Sequence, residues 1–172
     1  MKTYLEIKVP IRYDAHWFDE LRTKMKGTQV KWQQEHYHIT MAFCDETPDV
    51  DLRPILRKHL NNALSPTLCF DRLDVFEGLS GMNIIHLGVS NIPIEFSSLV
   101  ENIRNDLKAM GCVMKADFKL HVTLGRLKDP DFGTSRIKEI TDSISLPEFS
   151  LKLTDVDYKV FGTRQTIFET KL

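Results

Sequence analysis

Two segments of the chain, Tyr37-His38-Ile39-Thr40-Met41-Ala42-Phe43 and Phe118-Lys119-Leu120-His121-Val122-Thr123-Leu124-Gly125-Arg126, repeat one order: histidine, aliphatic, threonine, apolar. An extended strand turns alternate side chains to opposite faces, so in each segment the histidine and threonine share a face and the aliphatics take the other. In the first, His36, His38, Thr40 and Ala42 oppose Tyr37, Ile39, Met41 and Phe43. In the second, Lys119, His121, Thr123 and Gly125 oppose Leu120, Val122, Leu124 and Arg126. His38 and His121 stand 83 positions apart in a chain of 172, near half its length, which suggests a duplicated unit. With thirteen threonines, two His-x-Thr pairs arise by chance in roughly one chain in fifteen. The matching flanks make this pair considerably rarer.

The surrounding pattern predicts both strands and helices. Lys2 to Val9 alternates polar and apolar residues and reads as a strand. Asp14 can cap a helix carrying Trp17, Phe18, Leu21 and Met25, stopped by Gly27. The first matched strand spans His36 to Phe43. A second helix then carries Leu52, Ile55, Leu56, Leu60 and Ala63, with Pro54 tolerable in its first turn. Thr67–Phe76 and Asn83–Val89 read as strands joined by the glycine-bearing loop Glu77-Gly78-Leu79-Ser80-Gly81. Ser97 or Ser98 opens a helix with Leu99, Val100, Ile103, Leu107 and Met110 on one stripe. The second matched strand spans Lys119 to Leu127, followed by a short helix near Arg136–Ile144 and strands at Phe149–Tyr158 and Gln165–Lys171. No low-complexity linker divides residues 1–172, so one folding unit is expected, and if it has two halves they share a core.

Composition narrows the functional classes. A formal net charge of -1 gives no broad positive field for gripping long duplex nucleic acid, so any nucleic acid is expected to be held locally, by an end. Cys44, Cys69 and Cys112 lack C-x-x-C spacing, which argues against a zinc site or disulfide framework and for a reducing compartment. The N-terminal stretch lacks the unbroken apolar run of a signal peptide or membrane helix, so the expected location is cytoplasmic, with no membrane partner. The histidines do not have H-E-x-x-H or clustered-carboxylate spacing, and no nucleotide-binding glycine motif occurs, so no metal and no cofactor are expected. No obligatory protein partner is inferred.

Two strand histidines are suited to phosphodiester cleavage, which needs a base on the attacking side and an acid on the leaving-group side. Imidazole titrates near neutral pH, so one neutral and one protonated ring can coexist. A threonine two positions along sits about 6–7 Å from its histidine and can donate its hydroxyl to a non-bridging phosphate oxygen. On a regular strand Arg126 faces away from His121 as a structural ion-pairing residue; a bulge at Gly125 would redirect it toward phosphate. Phe43 and Trp32 are candidates for stacking on a base, against a default core role. His36 shares the His38 face but reads as solvated, and His16, His59 and His86 read as structural.

The two motifs resemble those of the two-histidine phosphoesterases, most closely the LigT-like RNA ligase and RNA 2′,3′-cyclic phosphodiesterase branch, over nearly the whole chain. The resemblance implies a bilobal, pseudo-twofold α+β fold with two antiparallel sheets lining a central cleft and helices outside. It implies a metal-independent activity opening 2′,3′-cyclic phosphates of RNA ends or small cyclic nucleotides to 2′-phosphates, with possible 2′,5′ RNA ligation. By motif, His38 would be the proton donor, His121 the proton acceptor, and Thr40 and Thr123 phosphate binders. Arginine is frequent in the family where Arg126 stands, which favours a phosphate role for it. The chain departs from the family pattern at Cys44-Asp45, where Leu-Gly is frequent, and at Leu120, where proline is. Those departures leave the subfamily open: 2′,5′-oligoadenylate or a cyclic phosphate of ADP-ribose are alternative substrates, and a non-catalytic nucleotide or RNA-end binding module is the alternative class.

Overall fold

The computed structural model describes residues 1–78 and 80–172. The elements run β1 (Thr3–Lys8), α1 (His16–Lys24), β2 (Lys31–Trp32), β3 (His38–Cys44), α2 (Arg53–Leu60), β4 (Thr67–Phe70), β5 (Arg72–Glu77), β6 (Asn83–Gly88), α3 (Ile94–Ala109), β7 (Val122–Leu127), α4 (Thr134–Asp142), β8 (Phe149–Lys152), β9 (Asp155–Val160) and β10 (Thr166–Lys171). They form one sheet in the order β10-β9-β1-β3, a second in the order β2-β7-β6-β5, and a β4-β8 ribbon. Every pairing is antiparallel. Alternation on β1 explains its central place: Leu5 and Ile7 are fully buried, while Tyr4, Glu6 and Lys8 face the other way.

Three strands of each sheet correspond, while the fourth adjoins β9 in one sheet and β7 in the other. β1 lies between β3 and β9, and β6 lies between β7 and β5. The match extends to a defect. In the β1–β3 ladder the register passes from Leu5↔Ala42 to Glu6↔Thr40, leaving Met41 as an extra residue. In the β6–β7 ladder it passes from Ile85↔Gly125 to His86↔Thr123, leaving Leu124 extra. Each bulge follows the motif threonine directly, and each inverts the alternation beyond it. Ala42 and Gly125 therefore turn inward and are buried, while Phe43 and Arg126 turn to the faces that carry the motif residues. This corrects the regular-strand assignment of all four residues; the redirecting bulge is at Leu124, one position before Gly125.

Other departures from the sequence reading have local causes. The expected Thr67–Phe76 strand is two strands, because the chain bends at Asp71, whose N–H donates to the Gly88 carbonyl and whose carboxylate accepts from Ser90 N–H. Phe149–Tyr158 is likewise divided, at Leu153, whose N–H donates to the Pro66 carbonyl. α3 begins at Ile94, not at Ser97 or Ser98, because Pro93 caps it and its carbonyl accepts from Phe96 and Ser97 N–H. Ala15, not Asp14, caps α1, since Asp14 is taken by Arg12. α4 starts two residues before Arg136, and Pro54 does lie in the first turn of α2. The β5–β6 connection has Gly78 N–H donating to the Met82 carbonyl and Gly81 at φ +69°; Leu79 of the expected loop lies outside the described residues.

Strand β2 was not legible in the sequence. It pairs with β7 opposite Gly125, where a Cβ would stand 2.8 Å from both the Trp32 ring and Val30 Cγ1, so only glycine lets β2 approach. Trp32 is half-buried and packs edge-on against Phe18 beside the core.

Candidate active site

β3 and β7 adjoin across the two sheets and bring the matched motifs together. A cavity of about 660 Å³ is lined by His38, Thr40, Phe43 and Arg126, with Tyr4, Glu6 and Lys159 beside them. His121 and Thr123 are not among its lining residues. They stand on the neighbouring motif segment, where the charges of His38 and Arg126 both reach the His121 ring. His121 immediately precedes β7, and His38 is the first residue of β3, so both histidines sit at strand starts.

The two rings are held alike. His38 Nδ1 lies 2.9 Å from the His36 carbonyl oxygen, and His121 Nδ1 lies 2.7 Å from that of Lys119. A carbonyl can only accept, so Nδ1 carries a proton in each, leaving Nε2 as the atom free to exchange one. His36 adopts the left-handed conformation, φ 58°, which costs a non-glycine residue roughly 1 kcal/mol and is found here where the backbone presents its carbonyl to His38.

The same symmetry reveals chemical difference. Glu6 pairs with Thr40 and Asp157, and at the corresponding place His86 pairs with Thr123 and Asp74. Beside His38, then, stands a carboxylate: Glu6 Oε2 is 3.3 Å from Nδ1, with Glu6 itself 4% exposed. Glu6 also pairs with Lys159, which reaches Asp157 at 2.9 Å. Burial works to raise Asp157, but Lys159 and Lys8 outweigh it and hold its carboxyl below the usual range. Beside His121 stand the rings of Phe76 and His86, edge-on at centroid distances of 5.1 and 5.8 Å. Lys119 lies over Phe76, 3.7 Å from its centroid. Burial lowers the His121 pKa from its ordinary value, and the charges of Lys119, His38 and Arg126 add to that effect against the Lys119 carbonyl, which opposes it.

Sequence reading missed Glu6, Lys159 and Asp157. A signal existed for Glu6, which shares the non-core face of β1 with Tyr4 and Lys8. His86, read as structural, is buried beside His121. Burial pushes its pKa down to about 4. The unfolded chain takes up that proton near pH 6.5, whereas the folded chain resists it until much lower pH, so stability present above about 6.5 is lost on acidification toward 4. The expected contribution is roughly 2–4 kcal/mol. Urea midpoints at pH 7 and 4.5 should therefore fall further for wild type than for His86→Gln; equal falls would contradict the assignment.

The matched histidine-threonine segments thus lie on adjoining strands of two antiparallel sheets. A sequence profile of the 2′-5′ RNA ligase superfamily matches residues 12–158, and the chain belongs to that family. It is 24% identical over 140 residues to the RNA 2′,3′-cyclic phosphodiesterase of Archaeoglobus fulgidus, covering 81% of this chain and 75% of that one. Among solved structures, E. coli LigT complexed with 3′-AMP aligns at a TM-score of 0.55 and 17% identity, over 99% of this chain and 94% of that one. Kluyveromyces marxianus Usb1 with uridine monophosphate aligns at 0.66 and 11%, over 99% and 98%. These likenesses establish the α+β fold. No helix among the described residues is long and apolar enough to cross a membrane.

Proposed function

We propose that the protein hydrolyses 2′,3′-cyclic phosphodiesters, on an RNA end or a small nucleotide, to 2′-phosphates without a metal, its two lobes acting as one domain. Water attacks phosphorus as its proton passes to His121 Nε2. The P–O3′ bond breaks and O3′ takes a proton from His38 Nε2, leaving the phosphate on O2′. Thr40 and Thr123 donate hydroxyl hydrogen bonds to the non-bridging oxygens, and Arg126 offsets the developing charge.

The observation that carries this reading is the asymmetry around two similarly held rings. A base must begin neutral, and His121 sits in surroundings that disfavour its protonation. An acid must begin protonated, and His38 has a carboxylate against Nδ1 to accompany the imidazolium. The relative that bears the name RNA 2′,3′-cyclic phosphodiesterase supports the substrate class. The reducing compartment read from the cysteines, and the cytoplasmic location read from the N-terminal stretch, are compatible with RNA ends as partners.

The test is the pH dependence of kcat/KM on nucleoside 2′,3′-cyclic monophosphates with EDTA present. Since His121 must be neutral and its pKa is depressed, the acidic limb is expected below the ordinary histidine value of about 6.5. A limb at or above that value would reverse the acid and base. Inert behaviour on all four nucleotides would favour a binding module or another cyclic or 2′,5′ linkage.

A further inference from the structure

The cavity holds more than one phosphate requires. Beyond His38 and Thr40 it continues to the β9–β10 turn, which contributes Phe161, Gly162 and Arg164 to the lining. Arg164 and His36 are the two non-glycine residues at positive φ among those described, each at 58°, and both line this one cavity. The turn is fixed by Arg164 N–H donating to the Val160 carbonyl and Val160 N–H to the Gln165 carbonyl. Glycine or asparagine would take that conformation at lower cost, so an arginine there holds a charged side chain against backbone preference.

The cations of the cleft are not alike. Lys159 is taken up by Glu6 and Asp157. Arg126 and Arg164 form no ion pair among the described residues, although Arg164 stands close enough for its charge to be felt at Arg126. Two like charges left facing one cavity suit an anion between or across them. Next to them Phe161, also in the cavity lining, is 56% exposed and stands edge-on to Phe43 at 5.2 Å and to Tyr4 at 6.4 Å. An exposed aromatic held by two others is a stacking surface for a base.

We infer that Phe161 and Arg164 form a second subsite, which takes the base and an additional phosphate of a nucleoside flanked by two phosphates. This rests on the reading of His38, Thr40 and Arg126 as the place of the reacting phosphate. It makes the preferred substrate a 5′-phosphorylated or chain-linked terminal nucleotide, and a nucleoside with only its cyclic phosphate a poor one.

The test uses product-like ligands, so that binding is read apart from turnover. Calorimetry compares adenosine 2′-monophosphate, adenosine 2′,5′-bisphosphate, and a dinucleotide ending in adenosine 2′-phosphate. Wild type is expected to bind the last two at least about tenfold more tightly than the first, as a charge-assisted contact warrants. The tighter of the two identifies a free nucleotide or an RNA end as the source. Arg164→Gly, which suits the left-handed turn, should bring the three affinities together, with Arg164→Asn as the second variant should the first fold poorly. Phe161→Ala should weaken all three by about tenfold. Equal affinities in wild type, or a preference that survives both Arg164 variants, would overturn the subsite. Preference without hydrolysis of any cyclic phosphate would leave the subsite standing and remove the proposed reaction, and hydrolysis without preference would do the reverse.

Discussion

Replacing His121 with alanine is expected to lower kcat/KM on a nucleoside 2′,3′-cyclic phosphate by about 10²–10⁴, the usual contribution of a positioned acid or base. His38→Ala should lose a similar factor. The double variant should fall little below either single one, because the two rings act in one proton-transfer scheme and their losses do not add. In the His121 variant the acidic limb of the pH profile should disappear. Both histidines are partly exposed, so a loss of this size with an unchanged unfolding midpoint is chemical, not structural. Wild-type rates in His121→Ala would refute the mechanism.

The second large effect concerns stability. Glu6 and Asp157 are each 4% exposed and share Lys159, whose own pKa is raised because those two carboxylates outweigh its burial. Among the described residues, Lys159→Met leaves the Glu6 charge with only His38 to meet it and Asp157 with only Lys8. Removing one partner of a buried ionic set costs about 3–5 kcal/mol, and Lys8 at 3.1 Å from Asp157 limits the loss to the lower part of that range. In a chain of this length the expected fall in Tm is roughly 6–12 °C. Glu6→Gln and Asp157→Asn combined with Lys159→Met should restore much of it, since no charge then remains buried and unpaired. A fall below about 2 °C in the single variant would show that the cluster is not what holds the β1–β9 pair.

The motifs were the most legible part of the chain because a strand's two-residue period needs no tertiary information; their spacing suggested a duplicated unit, and the pseudo-twofold fold came with the family resemblance. What alternation could not show was the pair of bulges at Met41 and Leu124. An extra residue in a ladder is defined by the partner strand, here Leu5-Glu6 and Ile85-His86, and leaves no mark in the bulged segment itself. That is why Phe43 and Arg126 were assigned to the wrong faces. Strand breaks at Asp71 and Leu153 were hidden for the same reason, since Ser90 and Pro66, distant in sequence, supply the groups that divert the chain. Arg164 and Phe161 were invisible because a turn has no period, and their meaning comes from the cavity they enter.

Held in common by both halves are the backbone frame, the bulge and the Nδ1-to-carbonyl bond. The difference between them, a carboxylate beside His38 and the rings of Phe76 and His86 beside His121, is the ground for the acid and base roles proposed above. The most direct measurement is to incubate a short RNA ending in a 2′,3′-cyclic phosphate with the protein in EDTA and identify the terminal phosphate formed. The expected product is a 2′-phosphate, formed at a rate that depends on both His38 and His121. An untouched cyclic end, a 3′-phosphate product, or turnover that EDTA abolishes would each contradict the two-histidine hydrolysis proposed for this cleft.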